Sequence, residues 1–139
     1  MRVVLDTNVF VSGVFFTGPP YQILDAWRYG RLQLIISADI LDEYQRVSET
    51  LAKDYPQVDL APIMELLAVE AEMISPPRLP ERVCHDPEDD KFLACALAAK
   101  TGVIISGDKH LLRVSGYRGI EVIRPREFVN HYLRQEFKS

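Results

Sequence analysis

The chain has 139 residues, 47% of them hydrophobic and 26% charged, with a formal net charge of −4. This composition excludes disordered, collagen-like and disulfide-scaffold classes and suits one compact domain over residues 1–139. No stretch reaches membrane-spanning length and no apolar leader precedes Asp6, so a cytoplasmic protein is expected. An acidic balance is unusual for a protein that binds a polyanion, unless some of its carboxylates hold a cation that inverts the local charge.

Short β-branched runs alternate with helix-sized segments from end to end. Arg2-Val3-Val4-Leu5 reads as the first strand and Leu32 to Ile36 as the second, with Gly102 to Ser106 and Ile120 to Ile123 following. Helices are expected over about 20–30, 38–53, 60–72, 87–101 and 125–136, so the strands are joined by crossovers and the sheet is mainly parallel. The first and third strands are apolar throughout, as strands covered on both faces are. Ser37 before Ala38, Asp86 before Pro87 and Arg124 before Pro125 read as helix starts. Ser75 to Glu81, with three prolines, reads as a linker within the domain.

Two carboxylates follow predicted strands directly. Asp6 opens the run Asp6-Thr7-Asn8-Val9-Phe10, and Asp108 lies in Ser106-Gly107-Asp108-Lys109-His110-Leu111-Leu112. The carboxyl ends of parallel strands are where open α/β sheets form their ligand crevice. A helix cap or turn is the plainer role for each.

Helical geometry separates Glu43 from Asp42. Glu43 shares a face with Ile40 and Val47, whereas Asp42 falls among Asp39, Gln45, Arg46 and Glu49. An inward acid needs a partner, either a salt bridge or a cation. In Asp86-Pro87-Glu88-Asp89-Asp90-Lys91-Phe92-Leu93-Ala94, Asp86 is placed to cap and Asp89 to complement the helix N-terminus. Asp90 shares a side with Leu93, Ala94 and Leu97 and is the first candidate for the site, with Asp89 and Asp86 as second choices.

Acids aimed into one crevice repel unless protons or a cation relieve them. Oxygen-only ligands select Mg²⁺ or Mn²⁺, and such an ion activates water for phosphodiester hydrolysis. One ion and two both fit the sequence. His85, His110 and His131 carry no zinc-hydrolase spacing. Cys84 and Cys95 read as reduced and structural, and Trp27, at helical spacing from Ile23 and Leu24, as core. Lys91, Lys109 and Arg113 lie near the acids and are weak candidates for phosphate contacts.

These pieces together resemble the PIN-domain fingerprint. The match comprises Asp6-Thr7-Asn8 after the first strand, Ser37 leading to Glu43, Asp90 opening the Phe92-Leu93-Ala94 helix, and Ser106-Gly107-Asp108. The wording Asp-Pro-x-Asp-Asp-Lys-Phe-Leu and Ser-Gly-Asp-Lys-x-Leu-Leu resembles the bacterial and archaeal toxin-like, or VapC-like, branch. The resemblance implies a three-layer α/β/α fold with a mainly parallel sheet of about five strands. It also implies a homodimer and Mg²⁺- or Mn²⁺-dependent RNA cleavage. Asp6, Glu43, Asp90 and Asp108 would be the catalytic metal ligands, supported by Asn8 and Ser106, where many members carry threonine in place of the serine. A small antitoxin protein is an implied partner. Two other readings compete: a degenerate PIN fold serving as a dimerisation or scaffold module, and a haloacid-dehalogenase-type phosphatase. The latter requires a second aspartate where this chain has Asn8.

Overall fold

The computed structural model describes residues 1–134. Five strands, β1 (Arg2–Leu5), β2 (Gln33–Ser37), β3 (Glu72–Ile74), β4 (Val103–Ile105) and β5 (Glu121–Ile123), form one sheet in the order β3-β2-β1-β4-β5. All four pairings are parallel. Helices flank the sheet: α1 (Thr7–Phe15), α2 (Pro19–Arg28), α3 (Ala38–Ala52), α4 (Ala61–Glu70), α5 (Asp90–Ala99), α6 (Lys109–Arg113) and α7 (Pro125–Phe128). The expected three-layer α/β/α architecture with a parallel five-stranded sheet is therefore the one observed. No helix among the described residues is long and apolar enough to cross a membrane.

The central strands are buried on both faces. Val3, Val4, Leu5, Ile35, Ile104 and Ile105 are all inaccessible to solvent, which is why their sequences run apolar without alternation. Helix α5 lies against β1, β2, β3 and β4 through Phe92, Leu93, Cys95, Ala96 and Ala99. Trp27 is buried in the same core, and both cysteines are free and buried. Helices α1 and α2 meet at Gly13, where an added Cβ would stand 2.7 Å from both Leu24 Cδ1 and the Pro20 carbonyl oxygen. Any larger residue would push the two helices apart.

The fifth strand, β3, is not among the strands that the periodicity revealed, and the helices α1 and α6 that follow Asp6 and Asp108 lie outside the expected helical segments. Three residues at a sheet edge are too few to show alternation, and they fall between an expected helix tail and the proline-rich linker. Their place is held from outside the segment. Arg2 on β1 forms a two-pronged ion pair with Glu72, with Nε 3.2 Å from Oε1, and donates a further bond of 2.7 Å to the Ala99 carbonyl. Two helices also begin or end differently from expectation. Pro87–Asp89 is a tight 3₁₀ turn ahead of α5, and α7 passes into a π-helical turn over Val129–Leu133. Positions 135 and 136 of the expected last helix lie outside the described residues.

One contact ties α3 to the end of β1. Tyr44 is fully buried, stacks on Phe10 with centroids 4.3 Å apart, and donates its hydroxyl to the Leu5 carbonyl at 2.5 Å. Removing that donor leaves a buried carbonyl unsatisfied one residue before Asp6. Tyr44→Phe is expected to lower the melting temperature by roughly 3–8 °C, measured by thermal denaturation followed by circular dichroism. An unchanged melting temperature would refute this account of the strand end.

Candidate active site

Strands β1 and β4 are neighbours in the sheet, and the strand order runs outward from them in both directions. A crevice opens at such a reversal, beyond the carboxyl ends of the strands. Asp6 leaves β1 there with its amide bonded to the Ile105 carbonyl at 3.0 Å, and Ser106 leaves β4 with its amide on the Ile123 carbonyl at 3.0 Å. Asp6 is 5% exposed and Ser106 not at all. The serine hydroxyl donates to Asp6 Oδ2 at 2.7 Å and accepts from the Asp108 amide at 2.9 Å. One hydroxyl thus orients the first acid and sets the turn that carries the last. Asp108 in turn accepts from the His110 amide at 2.8 Å, capping α6.

Burial pushes the Asp6 carboxyl above its ordinary range. The Ser106 hydrogen bond partly offsets this, and the charges of Asp108 and Glu43 reinforce it. Asp89 behaves the same way more strongly. Burial, the charges of Asp108, Asp6 and Asp86, and a hydrogen bond shared with Asp108 raise it to about 7. The charge of Asp108 thus bears on both Asp6 and Asp89, and that of Asp6 on Asp89, and all three offer oxygen donors.

Asp90, the first candidate from sequence for the third acid, is placed elsewhere. Its two oxygens accept the amides of Val83 at 3.0 Å and Cys84 at 2.7 Å, fastening the residues just after the proline-rich segment to the start of α5. The reason lies in helix geometry. The buried stripe of α5 runs through Phe92, Leu93, Ala96 and Ala99, and Asp89 precedes the first three by three, four and seven residues. Asp90 aligns instead with Leu93, Ala94 and Leu97, of which the last two are only half-buried. In a helix apolar nearly all round, the sequence does not mark which stripe meets the sheet.

The remaining candidates divide. Glu43 lies near enough to Asp6 to raise it, but its carboxylate pairs with the Lys91 ammonium. Lys91 also lies 3.6 Å from Glu88, so its charge is engaged by side chains of the protein itself. Asp86 caps the 3₁₀ turn by accepting the Glu88 amide at 3.0 Å, and its charge adds to the field on Asp89. Asn8 is exposed on α1, and Lys109 and Arg113 are exposed on α6. Two histidines that the sequence gave no ground to promote meet beside Asp108: His85 and His110 stack with centroids 5.0 Å apart, and His110 Nδ1 is buried without a hydrogen-bond partner. The one available signal was the two-residue spacing of His110 from Asp108.

Next to the acids lies a cleft of about 700 Å³ between the start of α3 (Ser37, Asp39, Asp42, Arg46), the proline-rich segment (Pro76 to Arg82) and the start of α5 (Glu88, Asp90, Lys91, Ala94). Asp6, Asp89 and Asp108 do not line it, so it flanks the acids and does not contain them. Among the described residues, no group of three His, Cys, Asp or Glu side chains is arranged so that it could hold a metal ion. The donor chemistry nonetheless fits a hard divalent cation, which would relieve the repulsion that burial imposes on Asp6 and Asp89. The buried Thr7 hydroxyl beside Asp6 also has no partner.

Comparison with known proteins agrees with this geometry. The PIN domain family model matches residues 2–110. An uncharacterized protein of Methanocaldococcus jannaschii, MJ1680, is 30% identical over 146 residues, spanning 95% of this chain and 92% of the relative. A chain in the crystal structure of VapBC2 from Rickettsia felis, bound to a DNA fragment from its promoter, superposes with a TM-score of 0.58 at 16% identity. That superposition covers 89% of this chain and 98% of the other, and it shows the shared fold. A parallel sheet with acids at its central strand ends defines the class, and the chain belongs to the PIN-domain family.

The raised Asp89 has a measurable consequence. Its folded value lies above the unfolded carboxylate value of roughly 4, so the folded state binds the extra proton. The stabilisation is complete below about pH 4 and is lost as pH rises toward about 7. Without divalent ions, the wild-type melting temperature is expected to fall by about 3 °C or more between pH 5 and pH 7.5, and Asp89→Asn should at least halve that decline. Parallel declines in the two proteins, measured in EDTA by scanning calorimetry, would show that Asp89 is not under the strain described.

Proposed function

We propose that the chain is a divalent-metal-dependent endoribonuclease, hydrolysing RNA phosphodiester bonds as the toxin component of a toxin–antitoxin pair in the cytoplasm. The observation that carries this reading is geometric: Asp6 and the turn to Asp108 leave the carboxyl ends of β1 and β4 side by side, joined by the Ser106 hydroxyl, with Asp89 raised by the charges of both. Structural rather than reactive acids would have been paired with cations there, as Glu43 is. Family membership supports the nuclease class, and the likeness to a VapBC2 chain supports a small antitoxin partner; a homodimer belongs to the same proposal.

In this reading Asp6, Asp89 and Asp108 hold Mg²⁺ or Mn²⁺, with Glu43 beside them. When bound, the ion supplies an activated water and neutralises charge on the phosphoryl group. Ser106 fixes the Asp6 carboxylate through the 2.7 Å bond and carries the turn to Asp108. Lys109 and Arg113, exposed on the helix that Asp108 caps, would meet flanking phosphates. In the same reading Asp90, whose oxygens accept the amides of Val83 and Cys84, supports the wall of the cleft and is not a ligand of the ion.

The test is Mn²⁺-stimulated cleavage of a single-stranded RNA by purified wild type and by single amide variants. Asp6→Asn, Asp89→Asn and Asp108→Asn are each expected to lower the rate by about 100-fold or more while leaving a folded protein. Asp90→Asn is expected to cost about tenfold or less, as the loss of a supporting contact does. Equal rates in wild type and the Asp6 and Asp108 variants would refute the mechanism. Strong loss in Asp90→Asn with none in Asp89→Asn would reassign the third acid. A wild type that neither cleaves nor binds Mn²⁺ would leave the chain as a PIN-fold binding module.

A further inference from the structure

A small pocket of about 140 Å³ lies where α2 packs against α7 and the π-helical turn that follows it. Its lining is Pro19 and Gln22 from α2, with Arg126, Val129, Asn130 and Arg134 from the last helical segment. Arg126 stands three residues beyond Ile123, whose carbonyl accepts the Ser106 amide. The pocket therefore begins at the same end of the sheet as the acids, and it shares no residue with them.

The charge of this pocket is one-sided. In the larger cleft, Arg46, Arg78, Arg82 and Lys91 face a greater number of carboxylates, Asp39 and Glu88 among them, so charge is compensated from within. Here two guanidiniums line the walls and no carboxylate does. Among the described residues neither Arg126 nor Arg134 forms an ion pair, whereas the neighbouring Arg124 lies 3.8 Å from Glu127. The side chains of Gln22 and Asn130 also make no hydrogen bond among the described residues. Like charges gathered at one place repel unless an anion relieves them. The backbone holds them there nonetheless. Arg126, Asn130 and Arg134 recur at four-residue intervals and so share a helical side. Between them Val129–Leu133 forms the π-helical turn, a rare conformation that recurs at functional sites.

The donors define the anion. Guanidinium forks match the oxygens of a carboxylate or a phosphate, and the two carboxamides add further N–H groups. A carboxylate brings a single charge, whereas a terminal phosphate brings about −1.5 to −2 at neutral pH, which is what two guanidiniums balance. Size points the same way. Sites for whole small molecules occupy roughly 300–1,000 Å³, so this pocket admits a phosphate group and leaves whatever bears it outside.

We propose that the pocket is a binding site for a terminal phosphate group, held by Arg126 and Arg134 with Gln22 and Asn130 completing its hydrogen bonds. Two sources carry that chemistry: free inorganic phosphate and the 5′-phosphate end of an RNA chain. The site stands whether or not the acids form a nuclease.

The experiment titrates the full chain with inorganic phosphate in EDTA, so that no divalent ion bridges phosphate to the acids, and follows amide NMR shifts. Saturable shifts confined to α2 and the last helical segment, with a dissociation constant of about 1 mM or tighter, are expected. Arg126→Gln and Arg134→Gln should each weaken binding by about tenfold or more. Both positions are exposed and glutamine is a good helix former, so these variants keep the fold. Arg118→Gln, at an exposed arginine 3.8 Å from Glu81, should leave binding unchanged. A second arm compares a short RNA bearing a 5′-phosphate with the same RNA ending in a 5′-hydroxyl. A preference for the phosphorylated RNA that Arg126→Gln removes assigns the site to RNA ends, and equal binding of the two RNAs beside saturable binding of inorganic phosphate assigns it to free phosphate. Neither saturable phosphate binding nor a 5′-phosphate preference in wild type overturns the site. Binding that Arg126→Gln and Arg134→Gln leave intact, or that Arg118→Gln weakens equally, overturns it as well.

Discussion

The structure turns on a conflict at the ends of β1 and β4. Closing a parallel sheet under helices on both faces buries whatever leaves its central strands, and here Asp6 and the Ser106-Gly107-Asp108 turn leave side by side. A buried carboxylate without a cation is costly. The chain answers with one serine hydroxyl, which donates to Asp6 and accepts from the Asp108 amide. That is enough to fix geometry and too little to neutralise charge. Asp89, brought in by the helix that crosses the sheet, worsens the imbalance. Stability is thereby given up at the place where a ligand can restore it, as pre-organised sites do.

The elements around this point serve to keep the acids facing. Tyr44 anchors α3 to the carbonyl of Leu5, directly ahead of Asp6. Gly13 lets α1 and α2 pack closely, so that the segment following Asp6 turns back over the sheet. Asp90 takes the amides of Val83 and Cys84, just after the proline-rich segment, and so ties the wall of the flanking cleft to α5. Adjacent residues on one helix, Asp89 and Asp90, thus have opposite tasks: one is held against other acids and one is saturated by backbone donors.

How far the sequence carried the fold depended on length and context. Val3-Val4-Leu5 and Val103-Ile104-Ile105 are unbroken apolar runs, and Ser37, Asp86 and Pro125 punctuate helices in the ways local chemistry dictates, so these elements were legible. Strand β3 was not, because three residues held by Arg2, seventy positions away, carry no periodic signal. At the site, Asp6 and Asp108 were legible from their position after buried strands. Which of Asp89 and Asp90 lies in the field of Asp6 and Asp108, and which is bonded to backbone amides, was not. It depends on which stripe of an almost wholly apolar α5 meets the sheet and on a 3₁₀ turn that shifts the angular register before it. The pairing of Glu43 with Lys91 was equally hidden, since inward orientation of Glu43 follows from helical spacing while the identity of its partner follows only from how α3 meets α5.

The net charge of −4 bears on what can approach this site. An acidic protein gains no long-range steering toward a polyanion, and beyond about 10 Å at moderate salt its own field is screened in any case. Attraction to phosphate must then be generated within the crevice. Few basic side chains near the acids are free to supply it, because Lys91 is engaged by Glu43 and Glu88 and Arg46 lies beside Asp42. Lys109 and Arg113, exposed on the helix capped by Asp108, remain on the rim. With so few phosphate contacts, the proposed RNA binding should depend only weakly on salt, since the salt slope scales with the number of phosphates neutralised. Affinity would come instead from the cation gathered by Asp6, Asp89 and Asp108, which couples substrate binding to metal binding at the same carboxylates that the fold leaves unrelieved.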